Sequence, residues 1–593
     1  MIVEYPTGGG KTEGALWSAV TSTATSRNGF MFSLPTQATS NQMYHRVAAF
    51  LERCAGSPVP LVLQHGMAKL ARQFDVQCGK YDVGAWFGNS KKAFLVPYGV
   101  GTVDQALLGI LPSRYAAMRF LGMRNRTFIV DELHAYDAYT LKLLYQFLTW
   151  ERYLNSSVIV LSATLTSECR RELLSVYGGR DIRINDADYP VLSLVTGGVV
   201  KSLPVEVPSA DRRTVTLTPC ACSSLKDLLV RKLSGGGCAA VIRNTVKAAQ
   251  ETYSALRDLD DTEVILIHSR FLAKDRAVLE RTIMRKFGKN SCCRPARAVV
   301  VATQVLEQSL DVDFDMMVSD VAPLDILLQR AGRVQRHVLS RLPEFSGGPE
   351  LFWLEPHVDA SGAVVFADYN DRVYWRYSLL RAYAALSTMN CWCIPEDTRG
   401  LVDSAYAAPA PDDGADFESA YSKMLESLAQ QDMLARTSRI ASPEAWRPGV
   451  VAALGSAEYD DEDEAECSFG AAAHPDDAAS MRQHLFTRHS DYITLVAVCL
   501  RDDDPAVMRD KIDDYKDIER LLRLSVKLPA YLWYDNSQDI RCGGKQCVDD
   551  RPWRHVTGLR RCRRLIFNAA GECRLGDYLI TLDSELGAQY EKL

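Results

Sequence analysis

The segment Pro6-Thr7-Gly8-Gly9-Gly10-Lys11-Thr12 constrains this chain more than any other. Glycines let a backbone curl so that successive N–H groups face one point, and a following helix N-terminus adds partial positive charge there. Ile2-Val3-Glu4 reads as a short strand before the segment, and a helical stretch follows it. The prediction is a strand–loop–helix cradle for phosphates, and ATP is the expected ligand. Pro6, Thr7, Gly8, Gly9 and Gly10 would form the cradle, Lys11 would reach the β and γ phosphates, and Thr12 would ligate Mg²⁺. The common G-x4-G-K-[ST] spacing asks for Gly where Tyr5 stands, so a plain Gly-rich turn is the competing reading of this segment alone.

Such a cradle belongs at the carboxyl end of a strand in an open parallel α/β sheet, and the rest of the chain is patterned accordingly. Phe30–Leu34, Arg126–Val130 and Val158–Ser162 are short apolar runs, each followed at once by polar residues. Ala239–Ile242, Val264–Ile267 and Ala298–Ala302 repeat the pattern. The predicted architecture is α/β, with two tandem RecA-like P-loop domains built on parallel sheets. The first spans 1–188 and the second 189–356. A helical or irregular linker region at 357–474 carries the acidic run Tyr459–Glu466, and a small C-terminal accessory domain occupies 475–593 with strands at Tyr492–Val498 and Tyr578–Leu582.

Length and composition set the outer bounds. The 593 residues are 47% hydrophobic and 24% charged, and no apolar run approaches the roughly 20 residues of a membrane span. Met1–Pro6 has neither a basic nor an apolar signal region, so a cytoplasmic protein is expected. Sixteen scattered cysteines then read as reduced thiols. Cys542, Cys547, Cys562 and Cys573 lack the paired spacing of a zinc knuckle. A net charge of −6 excludes little, because a local basic channel decides nucleic-acid binding more than the total does.

Three further motifs follow the cradle in a fixed order. Asp131-Glu132-Leu133-His134 places two carboxylates at a strand end, where Asp131 would hold Mg²⁺ and Glu132 would polarise the attacking water. Ser162-Ala163-Thr164 closes the next strand. Gln329-Arg330-Ala331-Gly332-Arg333-Val334-Gln335-Arg336 spaces two arginines three apart; on a helix they would share a face and reach a γ-phosphate. The ordered set predicts a nucleotide-driven helicase motor.

The residues around these motifs resemble the CRISPR-associated helicase-nuclease of type I systems, a superfamily 2 member. The likeness rests on Pro35–Tyr44, Val100–Leu107, Asp131–Asp137, Asn244-Thr245-Val246, His268–Phe271, Ala302–Asp313, Ser319–Asp325 and Leu582–Gly587. It implies ATP- and Mg²⁺-dependent 3′–5′ movement on single-stranded DNA and recruitment by the RNA-guided Cascade complex in antiviral defence. By the same resemblance Thr36, Gln37, Thr102, Asn244, Thr245, His268 and Thr303 would contact the DNA backbone. Asp313 would join the nucleotide site, Gln329 would set the attacking water, and Arg333 and Arg336 would act as fingers. Leu133 stands where the family usually has Val, and Gln335 where it often has His.

Members of that family carry an N-terminal nuclease with an HD metal cluster. None of the ten histidines here is followed by Asp, so DNA cutting is expected from a separate HD nuclease chain. The start at Met1 leaves no adenine-recognising segment upstream. It is read as a shortened reading frame or fragment, with a natural split gene as the alternative. Another superfamily 2 helicase, or a nucleic-acid-binding remnant without ATP turnover, are the competing functions. The run Arg551–Arg564, with Trp553 among its arginines, suits either single-strand stacking or a basic partner surface.

Overall fold

The computed structural model describes residues 1–6, 8–25, 28–64, 93–112, 116–178, 189–289, 293–308, 310–360, 362–366, 373–443, 492–499, 515–529, 531–534, 541–542, 545–546, 562–568 and 570–593. The chain divides into two units. Unit one is Met1–Arg213 with Cys393–His489, and unit two is Thr214–Trp392 with Ser490–Leu593.

Unit one is built on β1 (Ile2–Glu4), β2 (Phe30–Leu34), β3 (Leu61–Gln64), β4 (Tyr98–Thr102), β5 (Thr127–Val130), β6 (Ser157–Ser162), β7 (Val191–Thr196) and β8 (Val199–Pro204), in the order β3-β4-β2-β5-β6-β1-β7-β8. Pairing is parallel from β3 through β1 and antiparallel through β7 and β8. Every residue of β2 and β5 is buried, as expected of parallel strands covered on both faces. β7 and β8 complete this sheet, so unit one runs past the expected boundary at 188.

A larger departure concerns the region expected to be a linker. The helix Ala415–Ser438 packs on the helix Ala138–Tyr153. Gln431 Oε1 accepts from Tyr139 N at 3.2 Å, and beyond the helix Ala441 O accepts from Trp150 Nε1 at 3.2 Å. Ala435 is fully buried in the same core as Leu143, Leu144, Phe147 and Leu148. The chain therefore leaves unit one near residue 213 and returns to it near 393. The acidic run lies outside the described residues.

Unit two holds β9 (Arg213–Cys220), β10 (Gly237–Ile242), β11 (Glu263–Ile267), β12 (Arg297–Ala302), β13 (Met316–Asp320) and β14 (Glu350–Leu354). After a two-stranded ribbon, β15 (His357–Val358) and β16 (Val364–Val365), comes β17 (Cys391–Ile394). The sheet order is β11-β12-β10-β13-β14-β9-β17, parallel from β11 to β9. Near the C-terminus, β18 (Tyr492–Cys499) pairs with β19 (Ser525–Pro529) and β22 (Cys562–Phe567). Between them lies the short ribbon β20 (Arg541–Cys542) and β21 (Lys545–Gln546). The meander β23 (Glu572–Leu575), β24 (Tyr578–Asp583) and β25 (Gly587–Lys592) ends the chain. Cys562 and Cys573 are buried in this region, and Cys547 lies outside the described residues. Among the described residues no helix is long and apolar enough to cross a membrane.

Candidate nucleotide site and nucleic-acid edge

Parallel pairing of β5, β6 and β1 brings three strand ends to one edge of unit one. Pro6–Thr12 leaves β1, Asp131 leaves β5, and Ser162-Ala163-Thr164 closes β6. Gly8 and Gly10 take φ of 89° and 80°, left-handed values that a side chain resists. Gly9 approaches the ring of Tyr5 so closely that a Cβ would stand 1.9 Å from Cε1. Tyr5 thus fills the space beside the loop, at the position where the common spacing has glycine. Lys11 opens the helix Lys11–Thr25 and its Nζ donates to Tyr5 O at 2.5 Å. Thr7 lies outside the described residues.

The acidic pair is arranged by the backbone. Asp131 N donates to Ser33 O at 2.9 Å, continuing the β2–β5 edge, and Glu132 then turns left-handed at φ 51°. The turn ends the strand at these two adjacent carboxylates. Asp131 is 7% exposed; burial, then the Glu132 charge, pushes its carboxyl up to about 7, while Lys11 pulls it down. A buried carboxylate in that condition suits a divalent cation, and a hydroxyl near the helix N-terminus, Thr12, suits the same ion.

His134 joins the motifs. Its Nε2 lies 2.9 Å from Glu132 Oε2, and its Nδ1 lies 3.1 Å from Ser162 Oγ. Ser162 Oγ in turn accepts from Thr164 N at 3.3 Å. A change at Glu132 therefore reaches the end of β6 through one ring and one hydroxyl. At the other side of the loop Glu4 is fully buried, with Arg399 Nη2 at 2.6 Å and Arg170 Nε at 3.2 Å. Arg399 comes from the returning segment, which local sequence patterning could not announce.

In unit two the helix Leu324–Ala331 ends before both candidate fingers. Gln335 takes φ 48°, and Phe314 bridges to Val334 through Arg333 O and Gln335 N. Arg333 and Arg336 therefore do not share a helix face as expected. Arg333 Nη2 donates to Glu307 O at 2.5 Å, and Arg336 Nε lies 2.8 Å from Asp311 Oδ1. Gln329 is 5% exposed, and neither atom of its amide has a hydrogen-bond partner among the described residues. Gln335 donates to the carbonyls of Phe345 and Gly348, both at 2.9 Å.

Asp313 does not fit the nucleotide role expected of it. It is fully buried, paired with Arg341 at 2.7 Å and Arg294 at 3.4 Å, and accepts from His337 N at 2.7 Å. The neighbouring Asp311, missed in the sequence, is the half-exposed acid beside Arg336. Arg330 was also missed. Without exposure, it bonds Glu307 Oε1 at 2.6 Å, Ser319 Oγ at 2.8 Å and Asn244 Oδ1 at 3.0 Å.

The residues expected at DNA do gather at carboxyl strand ends. Thr36 follows β2 and Thr102 ends the adjacent β4; Asn244-Thr245, Thr303 and His268 follow the adjacent β10, β12 and β11. Their side chains are largely spent within the unit. Thr36 caps the helix Gln37–Ala55 by accepting from Thr39 N, and Thr245 caps Val246–Leu256 by accepting from Ala248 N. Asn244 Nδ2 donates to Val321 O at 2.7 Å. Thr102 and Thr303 are 4% and 2% exposed. The Gln37 side chain lies outside the described residues. His268 departs furthest from the expectation, because both its ring nitrogens are engaged: Nε2 with Leu586 O at 3.0 Å and Nδ1 with Arg270 N at 3.2 Å.

Comparison with known proteins now bears on this geometry. Residues 1–171 match the family described as DEAD/DEAH box helicase. Residues 235–339 match the family described as CRISPR-associated nuclease/helicase Cas3, C-terminal. The CRISPR-associated endonuclease/helicase Cas3 of Thermus thermophilus is 36% identical over 539 residues, covering 79% of this chain and 57% of its own length. This chain belongs to the Cas3 helicase family. The crystal structure of T. fusca Cas3-ADP superposes with a TM-score of 0.83 at 27% identity, over 99% of this chain and 68% of that one. A chain of a CRISPR RNA-guided surveillance complex, pre-nicking, superposes with a TM-score of 0.72 at 25% identity, over 99% of this chain and 67% of that one. The Cas3 fold thus covers the C-terminal region, where sequence resemblance was thin.

Proposed function

We propose that this chain is the ATP-dependent motor of a Cas3-type system, a 3′–5′ translocase and helicase on single-stranded DNA acting in type I CRISPR interference. The observation that carries this reading is the assembly of Lys11, Asp131 and Glu132 at neighbouring strand ends, with His134 tying Glu132 to Ser162. The loop at Pro6–Thr12 binds the ATP phosphates and Lys11 exchanges Tyr5 O for them. Thr12 and Asp131 would hold Mg²⁺, and the bound ion would supply neutralisation of phosphate charge. Glu132 orients and polarises the attacking water, with His134 Nε2 beside its carboxylate. In unit two the Gln329 amide has no hydrogen-bond partner among the described residues, and Gln329, Arg333 and Arg336 are proposed, by the family resemblance, to take part in hydrolysis.

DNA would be held along the β4–β2 and β12–β10 edges by backbone amides and small hydroxyls, which track phosphates without reading bases. The partner is a Cascade-type surveillance complex that exposes a displaced strand. Strand cutting falls to a metal nuclease outside these residues, such as a separate HD chain.

The test is ATP hydrolysis by the purified chain with and without single-stranded DNA. Turnover that rises with DNA, and falls at least about a hundredfold in Lys11→Ala and Glu132→Gln, supports the motor. Turnover unaffected by either substitution would overturn it.

A further inference from the structure

The C-terminal meander meets the motor sheet at the turn between β24 and β25. Asp583 Oδ1 accepts from Glu585 N at 2.7 Å and Leu586 N at 2.8 Å, which pre-forms the turn between β24 and β25. The turn presents Leu586 O to two donors, Gln250 Nε2 at 2.6 Å and His268 Nε2 at 3.0 Å. Ala588 N donates back to Arg270 O at 2.8 Å. The Arg270 guanidinium lies 4.6 Å from the Tyr590 ring centroid, and its Nη2 donates to Tyr590 Oη at 3.2 Å. Gly587 makes the approach possible. It has φ 71°, and a Cβ there would stand 2.8 Å from both His268 Cε1 and Arg270 O.

These contacts settle the state of the imidazole. Nδ1 accepts from Arg270 N, so the ring proton sits on Nε2 and is given to Leu586 O. A neutral ring with its single N–H already donated, and without exposure, has nothing left for a phosphate. Yet the loop it belongs to, His268–Phe271, leaves β11 beside Thr303 and Thr245 on the proposed DNA edge.

We propose that His268 is a positioning residue: the turn Leu586–Ala588 latches onto it and onto Gln250, and so fixes the His268–Phe271 loop in the shape that DNA engages. The C-terminal meander then determines how strongly DNA stimulates hydrolysis, without touching the nucleotide. The DNA part rests on the motor reading above; the latch itself does not.

The test compares the full chain with Gln250→Met, which keeps volume and removes the donor, and with Gly587→Val. His268→Gln, whose amide can still donate to Leu586 O, and His268→Phe, which cannot, form a second pair. Hydrolysis is measured over a range of single-stranded DNA concentrations, and backbone hydrogen exchange is followed over residues 266–271. For Gln250→Met and Gly587→Val we expect unchanged basal turnover, and for these two and His268→Phe faster exchange at 266–271. The DNA concentration for half-stimulation should rise about tenfold. His268→Gln should stay near the parent. Were His268 itself the DNA contact, Gln250→Met would leave stimulation intact while His268→Gln weakened it, and the proposal would be overturned. Exchange at 266–271 unchanged in Gln250→Met and Gly587→Val would also overturn it. A parent chain that DNA does not stimulate would count against the motor reading alone, because hydrogen exchange still reads the latch.

Discussion

Polar side chains of the same type meet very different fates here, and their partners separate them. Asp131 stays close to Lys11 and Glu132 with its carboxyl raised, whereas Asp313 is neutralised by two arginines and closed off. His134 spans two motifs, whereas His268 is a fastener. The fastener leaves a pH signature. Burial first, and Arg270 second, lower the His268 imidazole from 6.5 to about 3. Below 6.5 the unfolded chain takes a proton that the folded one refuses, so this group's contribution is lost as pH falls. The loss is roughly 1.4 kcal/mol between about pH 7.5 and 5.5. Urea unfolding of the parent and of His268→Gln at those two pH values should show the variant losing less stability by that amount. Equal losses would remove His268 as the cause.

At the scale of elements, what holds the nucleotide edge is packing behind it. The helix Ala138–Tyr153 begins at Asp137, whose carboxylate accepts from Thr140 N at 2.7 Å. Asp137→Ala should cost about 1 kcal/mol of unit-one stability without changing ATP affinity, a pairing that denaturant titration and nucleotide binding would check together. The opposite face of the same packing is Ala435, fully buried in that core. Ala435→Leu overfills the helix–helix seam and should cost about 1–3 kcal/mol. A neutral result there would mean that the returning helix does not pack on Ala138–Tyr153. The strands themselves were plain in the sequence: uninterrupted apolar runs such as Phe128-Ile129-Val130 are what a sheet covered on both sides requires. The placement of the candidate fingers was less legible. Arg333 and Arg336 have helical spacing, but the left-handed backbone at Gln335 takes them off the helix.

For the molecule as a whole, the chain crosses between its units more than once, so neither unit is a continuous stretch of sequence. A protein ended after residue 390 keeps every helicase motif yet lacks Arg399 beside Glu4 and the helix Ala415–Ser438 over Ala138–Tyr153. It should be poorly soluble or bind hydrophobic dye, because the core around Leu144 and Phe147 is uncovered. A soluble, cooperatively unfolding product of that length would show that unit one is complete without its returning segment. The chain spans 57% of the length of the Thermus thermophilus relative, so the activity of the longer proteins extends to it only through the motor proposed here.

The sequence alone determined the placement that is local: the glycine-rich loop after β1, the paired acids after β5 and the hydroxyls at strand ends. Each depends on residues within a few positions of one another, where spacing and backbone preference suffice. Which of the polar residues remain available was decided only by tertiary structure. His268 is engaged by a residue 318 positions away, and Glu4 by one 395 positions away. Burial and hydrogen-bond partnership are properties of what the folded chain brings alongside, and no local pattern carries that information.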